Sequence, residues 1–220
     1  MIRTVVDGSV RLLVKLLVRV RSPGLSRVPE RGPLLIAVNH INFLDAPLIY
    51  SLLRPRRVIG MAKIETWEQP VLRLLANLWE AIPVRRGTAD TRAFRAAAQE
   101  LARGAIVVLA PEGTRSRSGS LQRASAGIVT LAARTGAPIL PMAHFGGEDV
   151  WRVLRRGRRA IVTVRTGRPI RVVPNDEETR VLTRAERERY LNEIMTTIAR
   201  MLPAHYRGHY ADAASATTSR

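Results

Sequence analysis

Short apolar runs, each followed by a stretch of helical periodicity, constrain this chain more than any other feature. Pro33–Val38 (PLLIAV), Ala105–Ala110 (AIVVLA) and the run APILPMAHFG at 137–146 have strand length and little polar alternation. Strands of that kind are buried on both faces, which requires a largely parallel sheet with helices on each side. Helices are expected in DAPLIYSLLR, in PVLRLLANLWE, over Asp90–Arg103 with Gly104 at its end, and over Ala124–Arg134 with Gly136 as its stop. Arg57–Ala62, AIPV and RRAIVTVRTGRPI add strands, and Arg184–Leu202 reads as a last amphipathic helix. The expected fold class is α/β, with a central, mostly parallel mixed sheet flanked by helices and an N-terminal amphipathic helix. In such sheets ligands sit beyond the carboxyl ends of the strands. The polar clusters of this sequence fall there.

The 220 residues suit one domain. The expected division is an N-terminal amphipathic helix over 1–21, one α/β domain over 22–210, and a disordered, small-residue tail over 211–220. Arg3, Asp7, Arg11, Lys15 and Arg19 recur every four residues, which draws a polar stripe along the first helix. That stripe breaks the apolar run too often for a membrane span, which needs roughly 20 apolar residues. A signal peptide fits poorly, since Arg19 and Arg21 stand where a small-residue cleavage site belongs. Two readings remain: a helix lying in the headgroup plane of a membrane, or a first helix packed on the core with a charged outer edge.

Charge narrows the partners. Lys+Arg 36 against Asp+Glu 18 leaves +18, and Lys15 and Lys63 are the only lysines. An excess of that size asks for a polyanion: nucleic acid, an anionic membrane, or phosphorylated substrates. A hydrophobic content of 46% excludes a disordered basic arm. The absence of cysteine removes thiolate nucleophiles and Cys-ligated zinc, and four histidines give no His-rich metal site. Eight arginines and no acid lie between Trp151 and Arg171. They suit lipid headgroups, coenzyme A phosphates or an acidic carrier protein.

Four clusters at strand ends carry the chemistry. In Asn39-His40-Ile41-Asn42-Phe43-Leu44-Asp45, a histidine at a strand's end is followed by a carboxylate in the first turn of a helix. Such a carboxylate fixes the tautomer of the imidazole and supports the imidazolium when it takes a proton. No Gly-x-Ser-x-Gly elbow is present, so the base would act on a hydroxyl of the substrate. Pro111-Glu112-Gly113-Thr114-Arg115-Ser116 combines a glycine turn, which lets amides face an anion, with an arginine fork for phosphate. Glu112 could accept bonds from a polyol. Ile82-Pro83-Val84-Arg85-Arg86-Gly87 again ends a strand in basic residues, and Ala137-Pro138-Ile139-Leu140-Pro141 is apolar and rigid. His144, His205 and His209 read as structural or surface residues.

In this order the blocks NHINFLD, IPVRRG, PEGTRSRSG and APILP resemble the glycerolipid acyltransferase family, the PlsC-like lysophosphatidic acid (1-acyl-sn-glycerol-3-phosphate) acyltransferases. The resemblance runs from about Leu34 to Gly147. It implies that His40 is the general base and Asp45 its orienting partner, with acyl transfer direct and no acyl-enzyme intermediate. It implies substrate phosphate or glycerol contacts for Arg86 with Arg85 adjacent, and for Glu112, Gly113, Thr114 and Arg115, with Lys63 assisting. The implied reaction moves a fatty acyl group from acyl-CoA or an acyl carrier protein thioester to the sn-2 hydroxyl of lysophosphatidic acid. No cofactor and no metal are expected. The implied setting is peripheral, at the cytoplasmic face of the cell membrane, on an anionic membrane surface. Asn42 stands where many members carry Ser. Other lysophospholipid, ornithine-lipid or glycolipid acceptors remain open, as does a silent lipid-binding relative. A nucleic-acid-binding module is the alternative from another class. Nucleic acid is not the expected partner, because aromatics are only 5% and no helix-turn-helix, RNP or zinc-finger pattern is present.

Overall fold

A computed structural model of the chain describes residues 2–85, 90–116, 118–175 and 181–216, with side chains from residue 6 onward. Helix α1 (Ile2–Leu17) leads into strand β1 (Val18–Arg21), and β2 (Leu34–Val38) is followed by α2 (Asp45–Leu53). Then come β3 (Val58–Lys63), α3 (Pro70–Leu78), β4 (Ile82–Val84), α4 (Thr91–Ala102) and β5 (Ile106–Leu109). The chain continues through α5 (Gly127–Thr135), β6 (Ile139–Phe145), α6 (Val150–Leu154), β7 (Ala160–Thr166), α7 (Arg184–Met201) and α8 (Ala211–Ser215).

The strands form one seven-stranded sheet in the order β1-β7-β6-β2-β5-β3-β4. From β6 to β4 all neighbours are parallel. Strand β7 runs antiparallel to β6, and β1 is parallel to β7. The sheet is therefore mostly parallel and mixed, as the apolar runs imply. Central β2 is buried along its whole length. Its alternate side chains feed two cores: Leu35 and Ala37 meet α4, α5 and α7, while Leu34, Ile36 and Val38 meet α1, α2 and α6. Covering both faces is what lets a strand dispense with polar alternation.

Helix ends follow local chemistry. Asp90 caps α4 by accepting the Ala93 amide, and Thr183 with Glu186 closes a capping box at the start of α7. Gly136 ends α5 with φ 70°, a left-handed conformation that suits glycine.

The N-terminus differs from the expected helix over 1–21. Helix α1 stops at Leu17, because Val18-Arg19-Val20-Arg21 alternates in and out with period two and pairs with Ala160–Thr163 at the sheet edge. The polar stripe is also not uniformly outward. Asp7 is buried, its carboxylate paired with Arg54 at 2.9 Å and approached by the Trp79 indole N–H at 3.2 Å. Leu12, Leu13 and Leu16 instead face outward, each more than half exposed. The C-terminus differs too. Residues 211–215, placed in a disordered tail by composition, form α8, and buried Tyr210 and Ala214 join the core beneath α7. Small alanines there pack closely rather than marking disorder.

Candidate active site

Strands β2, β5, β3 and β4 all point their carboxyl ends to one edge of the sheet, and β6 joins them there. His40 follows β2, and Asp45 opens α2 five residues later. His40 Nδ1 lies 2.7 Å from Asp45 Oδ2. The same carboxylate oxygen accepts the backbone N–H of Ile41 at 2.7 Å and of Asn42 at 3.0 Å. Asp45 thus folds the loop around itself, as short acidic side chains do at turns and helix starts. Burial by itself would raise the Asp45 pKa, but hydrogen bonds and charge from His144 and His40 outweigh it and hold the carboxyl far below its ordinary value. The group is an anion throughout the neutral range. The His40 side chain remains 29% exposed, whereas Asp45 is only 5% exposed. With Nδ1–H donating to Asp45, the Nε2 lone pair is left to take a proton.

The third block buttresses this dyad. Gly113 turns with φ 69°, in the left-handed region that favours glycine. Glu112 accepts the His40 amide N–H at Oε1 (3.2 Å) and the Gln122 amide N–H at Oε2 (2.8 Å). Ser116 N–H donates to the His40 carbonyl at 2.9 Å, so the loop holds the His40 backbone from both sides. Burial pushes the Glu112 pKa up, against the lowering effect of those two amides. Sequence reasoning offered Glu112 to a polyol. Here both of its oxygens are engaged by the protein, and it works as a strut. Thr114 and Arg115 are exposed at the rim of the site.

Lys63 and Arg85 share the edge but stand off from the dyad. Lys63 and Val84 are paired at the ends of β3 and β4. With strands about 4.8 Å apart, the β3 end lies about 10 Å and the β4 end about 14 Å from β2. Arg85 is exposed, and its amide donates to Asp90. Arg86, the favoured phosphate ligand, lies outside the described residues. The arginine run after Trp151 divides. Arg155, Arg156 and Arg158 are exposed at the site edge, and Arg159 donates to the Lys15 carbonyl, tying that loop to the end of α1. Arg168 and Arg171 lie beyond the far end of β7, where Ile170 bridges to the start of β6. The run is thus not a single face. Phe43 from the His40–Asp45 loop stacks on Trp151 of α6, ring centroids 5.9 Å apart, and both are about half exposed.

Sequence reasoning missed His144. It has a carboxylate partner through space: its Nε2 is 3.5 Å from Asp45 Oδ2 and 2.9 Å from the Asn39 carbonyl. Asn39 answers with two bonds to the His144 backbone, one to its carbonyl and one from its amide, each 2.9 Å. Asn42, at the position where many family members carry Ser, bonds the Gly147 carbonyl at 2.9 Å and accepts the Leu44 amide. An available signal was positional: a histidine at the carboxyl end of a strand that pairs with β2. Beside these groups a narrow slot is lined by Val14, Leu17, Leu44, Leu48 and Val162, so the end of α1 reaches the dyad. Among the described residues no His, Cys, Asp and Glu cluster could hold a metal ion.

An imidazole oriented by a buried carboxylate, at the carboxyl edge of a parallel sheet and beside basic loops, is an arrangement suited to a general base. The acyltransferase family model matches residues 19–144, and the chain belongs to that family. Among curated relatives, the lyso-ornithine lipid O-acyltransferase of Pseudomonas aeruginosa is 30% identical over 51% of this chain and 43% of its own length. A chloroplastic 1-acyl-sn-glycerol-3-phosphate acyltransferase of Brassica napus is 29% identical over 56% of this chain and 36% of its own. These matches thus span less than half of either relative. The 1-acyl-sn-glycerol-3-phosphate acyltransferase of Bacillus subtilis is 25% identical over 74% of this chain and 81% of its own length. The crystal structure of the 1-acyl-sn-glycerophosphate acyltransferase of Thermotoga maritima shares the fold, with a TM-score of 0.62 at 23% identity, covering 87% of this chain and 79% of that one.

Proposed function

We propose that the protein is a glycerolipid O-acyltransferase that converts lysophosphatidic acid to phosphatidic acid with an acyl thioester donor. The observation that carries this reading is the 2.7 Å contact of His40 Nδ1 with a buried, anionic Asp45. His40 Nε2 takes the proton of the sn-2 hydroxyl as its oxygen attacks the thioester carbonyl. The tetrahedral intermediate then collapses, the C–S bond breaks, and the leaving thiolate recovers the proton from His40. Proton removal of this kind typically contributes about 10²–10⁴-fold. Arg115, with Arg85 and Lys63 on the same edge and Arg86 next in sequence, supplies cations for the acceptor phosphate, and Gly113 and Thr114 shape that turn. Coenzyme A and acyl carrier protein thioesters both satisfy the chemistry.

The same reading places the protein peripherally on an anionic bilayer at the cytoplasmic face of the cell membrane. No described helix is long and apolar enough to cross a membrane. Exposed Leu12, Leu13 and Leu16, the Phe43–Trp151 pair and the arginines at 155–158 give the apolar, aromatic and cationic mixture that suits an interface. A second acceptor has a specific observation behind it: the relative acting on lyso-ornithine lipid is as similar as the lysophosphatidate enzymes.

The test is thiol release from acyl-CoA with lysophosphatidic acid and with lyso-ornithine lipid, for wild type and His40→Ala. Release with lysophosphatidic acid, lost in His40→Ala, is expected. Substantial activity in the variant would overturn the general-base role, and preference for lyso-ornithine lipid would move the acceptor assignment.

A further inference from the structure

Three features of the site were not demanded by the sequence motifs, and all meet at His144. Its imidazole is buried, 2% exposed, on β6, a strand that contributes no other polar side chain to the dyad. Its Nε2 faces two oxygens, the Asn39 carbonyl at 2.9 Å and Asp45 Oδ2 at 3.5 Å. A carbonyl only accepts, so the proton sits on Nε2 and is directed between these acceptors. Asn39 then locks the β6 backbone at His144 reciprocally, through both its amide nitrogen and its amide oxygen. The peptide so held is the one that carries His40, and the carboxylate so approached is the one that orients it.

We propose that His144 is a positioning residue for acyl transfer, holding Asp45 Oδ2 and the Asn39–His40 peptide in fixed relation so that the Nδ1–H of His40 meets its carboxylate. The inference rests on the general-base reading of His40. Its logic is geometric. Asp45 Oδ2 already gathers His40, Ile41 and Asn42 from its own loop. Those three donors move with the loop, so they cannot fix the carboxylate against the sheet. His144 belongs to the neighbouring strand and supplies that external reference. Burial would lower the His144 pKa, but Asp45 more than compensates and raises it, in keeping with a ring that favours a donor toward the carboxylate. Nothing on the α1 side of the slot competes for Asp45, since Val14, Leu17 and Val18 are apolar there.

Glutamine and asparagine separate the possibilities, because a glutamine amide reaches the place of the imidazole Nε2 and an asparagine amide stops near Nδ1. In His144→Asn, kcat for thiol release is expected to fall about ten- to a hundredfold with KM nearly unchanged, the scale of a displaced catalytic group. In His144→Gln, most of that loss is expected to be recovered. In a chain already carrying Asp45→Asn, adding His144→Asn is expected to lower the residual rate no further, because the two act as one unit. Proton NMR gives a readout that needs no turnover: the far-downfield Nδ1–H signal of His40 should persist in His144→Gln and vanish in His144→Asn. Equal behaviour of the two variants in kcat and in that signal would overturn the proposal, as would an undiminished His144→Asn penalty on the Asp45→Asn background. If His144→Asn does not fold, loss of the downfield signal in folded His144→Gln overturns it equally. Absence of thiol release by the wild type would instead strike the general-base reading alone, since the NMR comparison stands without it.

Discussion

Replacing Asp45 by Asn tests the dyad with the least disturbance to the fold. The two side chains share a shape, and the site is only 5% exposed, so an isostere is needed. Asn retains a carbonyl oxygen for the Ile41 and Asn42 amides, but it loses the charge. When His40 takes the acceptor proton, the 2.7 Å contact sets an imidazolium directly against the carboxylate. Charge centres about 4 Å apart at an effective dielectric of about 20 attract by ~4 kcal/mol. A neutral hydrogen bond in the variant returns ~1 kcal/mol, and local rearrangement returns a similar amount. About 2–3 kcal/mol of transition-state stabilisation is then lost, roughly 30- to 150-fold in kcat. Thiol-release kinetics on purified wild type and variant measure it, with KM for lysophosphatidic acid expected to hold within about twofold. A kcat loss under about fivefold, in a variant that unfolds at the wild-type temperature, would refute the claim that Asp45 supports the His40 imidazolium.

Other perturbations follow from the same geometry. A depressed Asp45 pKa contributes stability that is present above the unfolded value and is lost as pH falls. The urea stability gap between wild type and Asp45→Asn should therefore be widest near neutral pH, begin to narrow as pH falls through about 4, and close only as pH approaches the far lower folded-state value. Arg54→Ala leaves the buried Asp7 carboxylate without its cation and should cost about 3 kcal/mol in urea unfolding, with Arg54→Lys recovering part of it. Glu112→Gln must turn an amide donor toward either the His40 or the Gln122 N–H, and should lower stability by about 1–3 kcal/mol along with kcat. Leu12, Leu13 and Leu16 changed together to Ser should weaken sedimentation with anionic vesicles at least about tenfold, while the melting temperature holds, because these side chains pack little on the core.

Much of the architecture was legible because burial on both faces leaves a local mark. The runs PLLIAV and AIVVLA became β2 and β5 to within a residue or two, and the glycine expected to stop the fifth helix does so. Errors arose where two local patterns overlapped. The four-residue charge stripe continued into Arg19, so it concealed the period-two alternation that makes Val18–Arg21 a strand. Alanine-rich sequence after Tyr210 looked unstructured, yet small side chains are what allow α8 to lie close on α7. Asp7 reads as one member of the polar stripe because its partners, Arg54 and Trp79, lie dozens of residues away.

The site shows the same division more sharply. His40 and Asp45 were readable because the loop that joins them is only four residues long, and a short loop fixes its own geometry. For Glu112 the resemblance implies a substrate contact, and only the folded chain reveals that its two oxygens also accept the amides of His40 and Gln122. The carboxylate that His144 meets is not one of its sequence neighbours Glu148 and Asp149 but Asp45, about a hundred residues earlier. What brings it to Asp45 is the register of β2 with β6, in which Val38 stands beside Met142. From that pairing, one residue beyond β2 and two further along β6 set Asn39 against the His144 backbone. Strand register depends on every apolar contact across the sheet, so a residue placed by register is invisible to any motif and becomes visible only once the parallel pairing is known. The acid–base dyad is thus a local invention of one loop, and the frame that holds it belongs to the sheet.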